Sequence, residues 1–126
     1  MIDINKQLDY WKNGADNDLE TAELLISSRK YIEGLFFCHL TIEKIFKALV
    51  VKKTKQLAPK THILNYLHEL TNVELSDQNT VFLSILMKYQ LEGRYPDFNP
   101  KVPPFETVND YLCKTKALFE CLRQML

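Results

Sequence analysis

The sequence predicts an all-α fold, one domain over residues 1–126 built as a bundle of about five helices. Three observations carry that prediction. Only three glycines and five prolines stand among 126 residues, too few for the many tight turns of a sandwich or a barrel. Apolar residues recur at steps of three and four along most of the chain. A composition of 46% hydrophobic and 25% charged residues is that of a folded globular domain and not of a disordered chain.

The first helix runs over roughly residues 3 to 28, with Leu8, Trp11, Ala15, Leu19, Ala22, Leu25 and Ile26 on one face. Gly14 inside it costs about 1 kcal/mol relative to alanine and marks a place where a neighbour packs closely. Asp16, Asp18, Glu20 and Glu23 read as a solvated acidic surface. A second helix spans Tyr31 to about Lys53, and it is apolar almost all round from Leu35 to Val51. Such a helix is buried from several sides, so it is the central element, covered by other helices or by a second subunit. Its few polar residues include His39, Glu43 and Lys47, one turn apart in a narrow stripe. Glu43 ahead of Lys47 is also the favourable order for an intrahelical pair.

Lys52 to Lys60 is a polar connection containing Pro59, followed by a short helix with Ile63, Leu64, Leu67 and Leu70 on one face. Ser76 or Asp77 caps the next helix, which Val81, Leu83, Ile85, Leu86, Tyr89 and Leu91 carry to a glycine stop at Gly93. Four prolines between Arg94 and Pro104 rule out helix there and indicate an extended crossing loop anchored by Tyr95, Phe98, Val102 and Phe105. The last helix opens near Pro104, with Thr107-Val108-Asn109-Asp110 as a weak capping-box match, and runs to the terminus.

Charge and motifs narrow the function classes. Sixteen basic residues balance sixteen acidic ones, so no bulk field draws the molecule to nucleic acid or to an acidic membrane. Cys38, Cys113 and Cys121 form no CxxC pair, which fits a reducing compartment, and no signal-like or membrane-spanning run is present, so the chain reads as cytoplasmic. No metal or cofactor is expected. His62 and His68, six apart on a helix, lie about 240° around its axis and cannot share an ion. The glycines at 14, 34 and 93 exclude a P-loop and a GxGxxG fingerprint.

Two local arrangements remain. Lys44, Lys47, Lys52, Lys53, Lys55 and Lys60 form an acid-free stretch that reads either as helix C-terminal charge complementing the helix dipole or as a phosphate-binding patch. Arg94-Tyr95-Pro96-Asp97 sets a guanidinium beside an aromatic ring at a proline-fixed corner, suited to phosphate binding and base stacking. Its structural alternative has Arg94 paired with Asp97 or Glu92 and Tyr95 packing the loop onto the bundle.

Together these segments resemble the HEPN family. Tyr31-(x4)-Phe36-Phe37-Cys38-His39-Leu40-Thr41-Ile42-Glu43-Lys44-Ile45-Phe46-Lys47-Ala48-Leu49 is similar to its signature helix, and His62-Ile63-Leu64 is similar to its His-x-Leu opening of the third helix. Arg94-Tyr95-Pro96-Asp97 resembles the corner of the branch encoded beside minimal nucleotidyltransferases. The resemblance implies an antiparallel up-and-down bundle like the C-terminal domain of kanamycin nucleotidyltransferase, commonly a homodimer. It implies one of two functions: metal-independent RNA cleavage by an Arg-(four to six residues)-His motif, or binding of nucleotide, RNA or a nucleotidyltransferase partner.

The motif can be tested directly. The positions where its histidine must stand are Gly34, Leu35 and Phe36 after Arg29, and Asn99, Pro100 and Lys101 after Arg94, while the chain ends too soon after Arg123. The histidine is absent. The expectation is therefore a non-catalytic, dimeric binding subunit of a two-component, toxin–antitoxin-like pair. In it Arg94, Lys47 and His62 hold phosphate, Tyr95 stacks on a base or sugar and Asp97 orients Arg94. The alternatives are an endoribonuclease toxin with a displaced histidine, His39 or His62, and a purely structural interaction domain. On its apolar helix His39 reads first as a hydrogen-bonded core residue.

Overall fold

A computed structural model describes residues 2–90 and 101–126 of the chain. These form α1 (Ile4–Ser27), α2 (Tyr31–Thr54), α3 (Leu64–Thr71), α4 (Asp77–Met87) and α5 (Phe105–Arg123). The described residues contain no strand, as the turn-poor composition requires.

The first two helices form an antiparallel hairpin. Asp3 opens α1 by accepting from the backbone N–H of Lys6 at 3.1 Å. At the other end Arg29 takes the left-handed conformation, φ 65°. Its N–H reaches the Ile26 carbonyl at 3.0 Å and that of Lys30 reaches Leu25 at 2.8 Å, a Schellman closure made without glycine. Directly beyond the turn, Gly34 lets the two helices touch. A Cβ there would stand 2.5 Å from Ile26 Cγ1 and 3.4 Å from the Ala22 carbonyl oxygen. Ile26 is buried and β-branched, so it has little rotamer freedom to yield. Gly34→Ala is therefore expected to cost about 1–3 kcal/mol of overpacking, despite alanine's better helix propensity of about 1 kcal/mol. Urea denaturation checks this, and unchanged or raised stability would show that the crossing can open.

α2 is the centre of the bundle, packing against each of the other four helices, while α1 also meets α5 and α3 also meets α4. Leu35, Cys38, Ile42, Ile45, Phe46 and Val51 are fully buried along it. Burial pushes the Cys38 thiol up to about 12, so this cysteine is a core residue and not a nucleophile.

Several boundaries differ from expectation. α4 starts as expected, with Ser76 accepting from the Asn79 N–H, but it closes at Met87. There the N–H groups of Lys88 and Tyr89 turn to the carbonyls three residues back, and the buried Tyr89 ring faces Tyr111, 6.3 Å between centroids. The expected glycine stop at Gly93 lies outside the described residues. α5 begins at Phe105 directly after Pro104, so the capping-box match at Thr107 falls inside the helix and makes no cap. The acidic face of α1 is only in part the solvated surface expected: Glu20 and Glu23 are exposed, but the others turn to partners. Asp18 is buried against Lys44, Oδ2 to Nζ 2.7 Å, while Asp16 holds Arg123 by two bonds of 3.1 and 3.2 Å and Glu23 pairs with Lys116. Gly14 is the close-packing position the sequence suggests, since a Cβ there would meet Lys44 Cδ at 3.1 Å.

Candidate functional site

The polar stripe of α2 becomes a connected network inside the protein. His39, Glu43 and Lys47 follow at one-turn intervals and are 0%, 3% and 5% exposed. A carboxylate at such depth must be compensated, and both of its oxygens are. Glu43 Oε2 accepts from Lys47 Nζ at 3.0 Å, and Oε1 accepts from His62 Nδ1 at 3.0 Å. The His39 ring lies one turn before, its Nδ1 3.7 Å from the same Oε1, too far for a hydrogen bond. His39 Nε2 stands 3.0 Å from the backbone carbonyl of His62, which can only accept, so that nitrogen carries a proton.

The segment ahead of α3 is thus gripped twice. His39 holds the main chain of His62 and Glu43 holds its ring. His62 precedes α3 and is not part of it, in contrast to the expected placement of both histidines on one helix. His68, within α3, turns its Nε2 to the Val73 carbonyl at 2.6 Å. On the opposite flank, α1 supplies Trp11, whose ring centroid is 5.0 Å from Lys47 Nζ, a cation–π contact in a desolvated place. The Trp11 indole N–H is buried and finds no acceptor among the described residues. Among the described residues no group of three or more His, Cys, Asp or Glu side chains could hold a metal ion.

Of the site residues expected from sequence, Lys47 and His62 are brought together, with Glu43 between them. Arg94, Tyr95 and Asp97 lie outside the described residues. Lys47 is turned inward, while the His62 side chain is 39% exposed and forms the outlet of the network. Sequence reasoning took Glu43 as half of an intrahelical pair and missed its hold on His62. The available signal was its position: one acid in an apolar helix needs more than one partner. Trp11 carried no such signal, because its place on the apolar face of α1 marks it only as core.

The lysine-rich stretch is divided: Lys55 and Lys60 are exposed, and the other four lysines have partners within the protein. Lys44 and Lys47 are neutralised by Asp18 and Glu43. Lys52 Nζ donates to the Met125 carbonyl at 2.9 Å and Lys53 Nζ to the Thr71 carbonyl at 2.9 Å, each closing the C-terminal end of another helix. Lys52 and Lys53 thus follow the helix-end reading, whereas Lys44 and Lys47 are paired within the bundle. Among the described residues no helix is long and apolar enough to cross a membrane.

A family model described as the HEPN domain matches residues 8–125. Among solved structures, TT1696 from Thermus thermophilus is similar to this chain with a TM-score of 0.78 and 18% sequence identity, over 95% of this chain and 98% of that one. At that identity the likeness shows the fold alone. No curated protein matches the chain.

Proposed function

We propose that this chain, which belongs to the HEPN domain family, is a non-catalytic binding subunit that holds the phosphate of a nucleotide or of RNA where His62 reaches the surface. The observation that supports this reading is the two-point grip on His62 by His39 and Glu43. A loop imidazole is ordinarily free to rotate. Here a buried carboxylate fixes its ring and a buried imidazole fixes its backbone, the preorganisation a recognition site needs. Arg94 supplies the guanidinium of the site, Tyr95 the stacking ring, and Asp97 orients Arg94, while Lys47 sets the charge of Glu43 from behind. The absence of an Arg-(four to six residues)-His motif supports binding over cleavage. In this reading the chain acts as a homodimer and as the second subunit to a minimal nucleotidyltransferase, in a two-component, toxin–antitoxin-like arrangement.

The test is a thermal-shift titration with AMP, ADP, ATP and a short single-stranded RNA, repeated on Arg94→Ala and His62→Gln. A ligand at about a hundred times its dissociation constant adds about 2.7 kcal/mol, a shift of several degrees for a domain of this size. The expected result is a shift with one ligand class that both variants lose. No shift with any of the four overturns the reading, as does a shift that both variants retain.

A second reading is favoured by the bond from His62 Nδ1 to Glu43, because an imidazole backed by a carboxylate is also a competent base. In an endoribonuclease, His62 Nε2 takes the proton of a 2′-hydroxyl, whose oxygen attacks the adjacent phosphorus. The bond from phosphorus to the 5′-oxygen breaks and that oxygen takes up a proton, leaving a 2′,3′-cyclic phosphate and a 5′-hydroxyl end. Incubation of purified protein with RNA and a chelator decides between the two: cyclic-phosphate ends lost in His62→Gln support the enzyme, and intact RNA disposes of it.

A further inference from the structure

We infer that the outward face of α4 is the contact between two copies of this chain, the two α4 helices lying antiparallel about a twofold axis. The inference rests on the homodimer reading above and adds the surface and the register by which the copies meet.

Three observations lead to it. First, α4 carries no charged residue from Gln78 to Met87, although Gln78, Val81 and Ser84 are exposed and Ile85 is half-buried. A surface helix ordinarily turns charge to solvent, as α1 does with Asp9, Glu20 and Glu23, and α5 with Glu106, Lys116 and Glu120. Loss of charge is the compositional mark of an interface centre, and here that centre is Val81, 60% exposed. Second, the face borders a groove. α4 packs on α2 and α3, while toward α5 the Tyr111 ring meets both Phe82 and Tyr89, at 6.0 and 6.3 Å, and spaces the two helices. Beside Phe82 this leaves a cavity of about 570 Å³, lined by Gln78, Val81, Phe82 and Ile85 of α4 and Lys114 of α5. Third, the charges of α4 stand at its two ends: Asp77 is its first residue and Lys88 follows its last, both exposed.

A second copy of the same face fits this surface. A twofold contact matches a patch to itself, so a charge on it must meet its opposite across the axis. Antiparallel α4 helices meet that condition: each Asp77 faces the partner's Lys88, and the two helix dipoles oppose each other. A parallel pair would set Asp77 beside the partner's Asp77 and align the dipoles. Lys88 also has an interaction within its own chain, so its charge is shared between the two. The other charged side chains at the groove, Asp110 and Lys114 of α5, pair with each other at 3.1 Å. Matching position 77 to position 88 sets the axis between Phe82 and Leu83, with Val81 opposite the partner's Ser84. The partner's Val81 and Ile85 are then the apolar side chains that enter the groove. A helix of 11 residues is about 16 Å long. Such a face buries less than the roughly 1,600 Å² of a standard interface, so the dimer forms at about 10–100 μM and is not obligate.

The experiment is sedimentation velocity of the full chain from about 5 to about 500 μM, on the wild type and on Val81→Glu. The expected result is a monomer–dimer equilibrium that the substitution weakens at least about tenfold, because two carboxylates then meet inside the contact. Circular dichroism and thermal melting should show Val81→Glu folded, since the position is 60% exposed in the single chain. A second measurement reads the register and needs no loss of binding. With the exposed Cys113 and Cys121 replaced by serine, Ser84→Cys and Gln78→Cys are each treated with a short bismaleimide. Along the helix axis the antiparallel register sets position 84 about 5 Å from its counterpart and position 78 about 14 Å from its own. Ser84→Cys is therefore expected to cross-link and Gln78→Cys is not. Equal cross-linking of the two overturns the antiparallel register. A dimer that Val81→Glu leaves intact and Ser84→Cys does not cross-link overturns the inference and leaves the homodimer on another surface. A monomer at every concentration overturns both and leaves this face to a different protein.

Discussion

Glu43→Ala is expected to lower the unfolding free energy by about 3–5 kcal/mol, a large share of the roughly 5–15 kcal/mol that holds a domain of this size together. The size of the effect follows from what is left behind. With the carboxylate gone, Lys47 keeps a cation that is 5% exposed and has the face of Trp11 beside it, while the His62 ring loses the acceptor on its Nδ1. Both Glu43 and Lys47 are nearly inaccessible, so solvent cannot screen the loss as it would at a surface pair. Equilibrium urea denaturation measures the change directly. A loss below about 1 kcal/mol would mean that water or a relaxed lysine replaces the carboxylate, contrary to a closed network.

The double variant Glu43→Leu with Lys47→Met separates stability from function. Removing a buried pair together and filling its volume with apolar side chains is commonly neutral or stabilising, so the double variant should recover most of what the single one loses. It should not recover ligand binding, because His62 still lacks its acceptor. That split, restored folding without restored recognition, is the signature of a network kept for the site. Recovery of both would reassign the stripe to packing alone.

How much of this was legible in the sequence depends on which physical scale decided each feature. The length and the buried character of α2 were legible because they rest on periodicity and composition within one segment, and Ser76 was legible because a cap is a local hydrogen bond. The end of α4 was not. Leu91 continues the apolar period, but Tyr89 turns inward toward Tyr111 of α5, and that contact closes the helix early. The same reason hid the partners of the charges. Asp16 and Arg123 are separated by 107 positions, and Lys52 reaches Met125 across 73, so a count along the chain saw an acidic face and a basic run where the fold makes pairs and helix caps. Within the site, the sequence placed His39, Glu43 and Lys47 on one stripe through helical spacing alone. It could not place His62 against them, because that contact depends on how the connection after α2 folds back.

Phe46→Ala carries the other large expected effect, again about 3–5 kcal/mol, and it tests how α3 is held. The Phe46 side chain is fully buried on α2, and its ring faces the His68 imidazole of α3 at 5.9 Å. α3 has eight residues and no side-chain hydrogen bond at its N-cap, well short of the roughly 12–15 residues at which an isolated helix becomes even marginal. Its helicity therefore comes from packing on α2 and α4, and Phe46 is a main part of the surface that receives it. Truncation to alanine leaves a void that the neighbouring Leu64 and Leu67, themselves fully buried, can fill only by shifting the helix. Hydrogen exchange on the variant should show the α3 amides losing protection well before those of the α1–α2 hairpin. Because His62 stands two residues ahead of that helix, ligand affinity should fall with α3 protection even though Phe46 touches neither His62 nor its acceptor in any hydrogen bond. Equal loss of protection in every helix would instead make Phe46 a keystone of the whole bundle, with no special tie between α3 and the site.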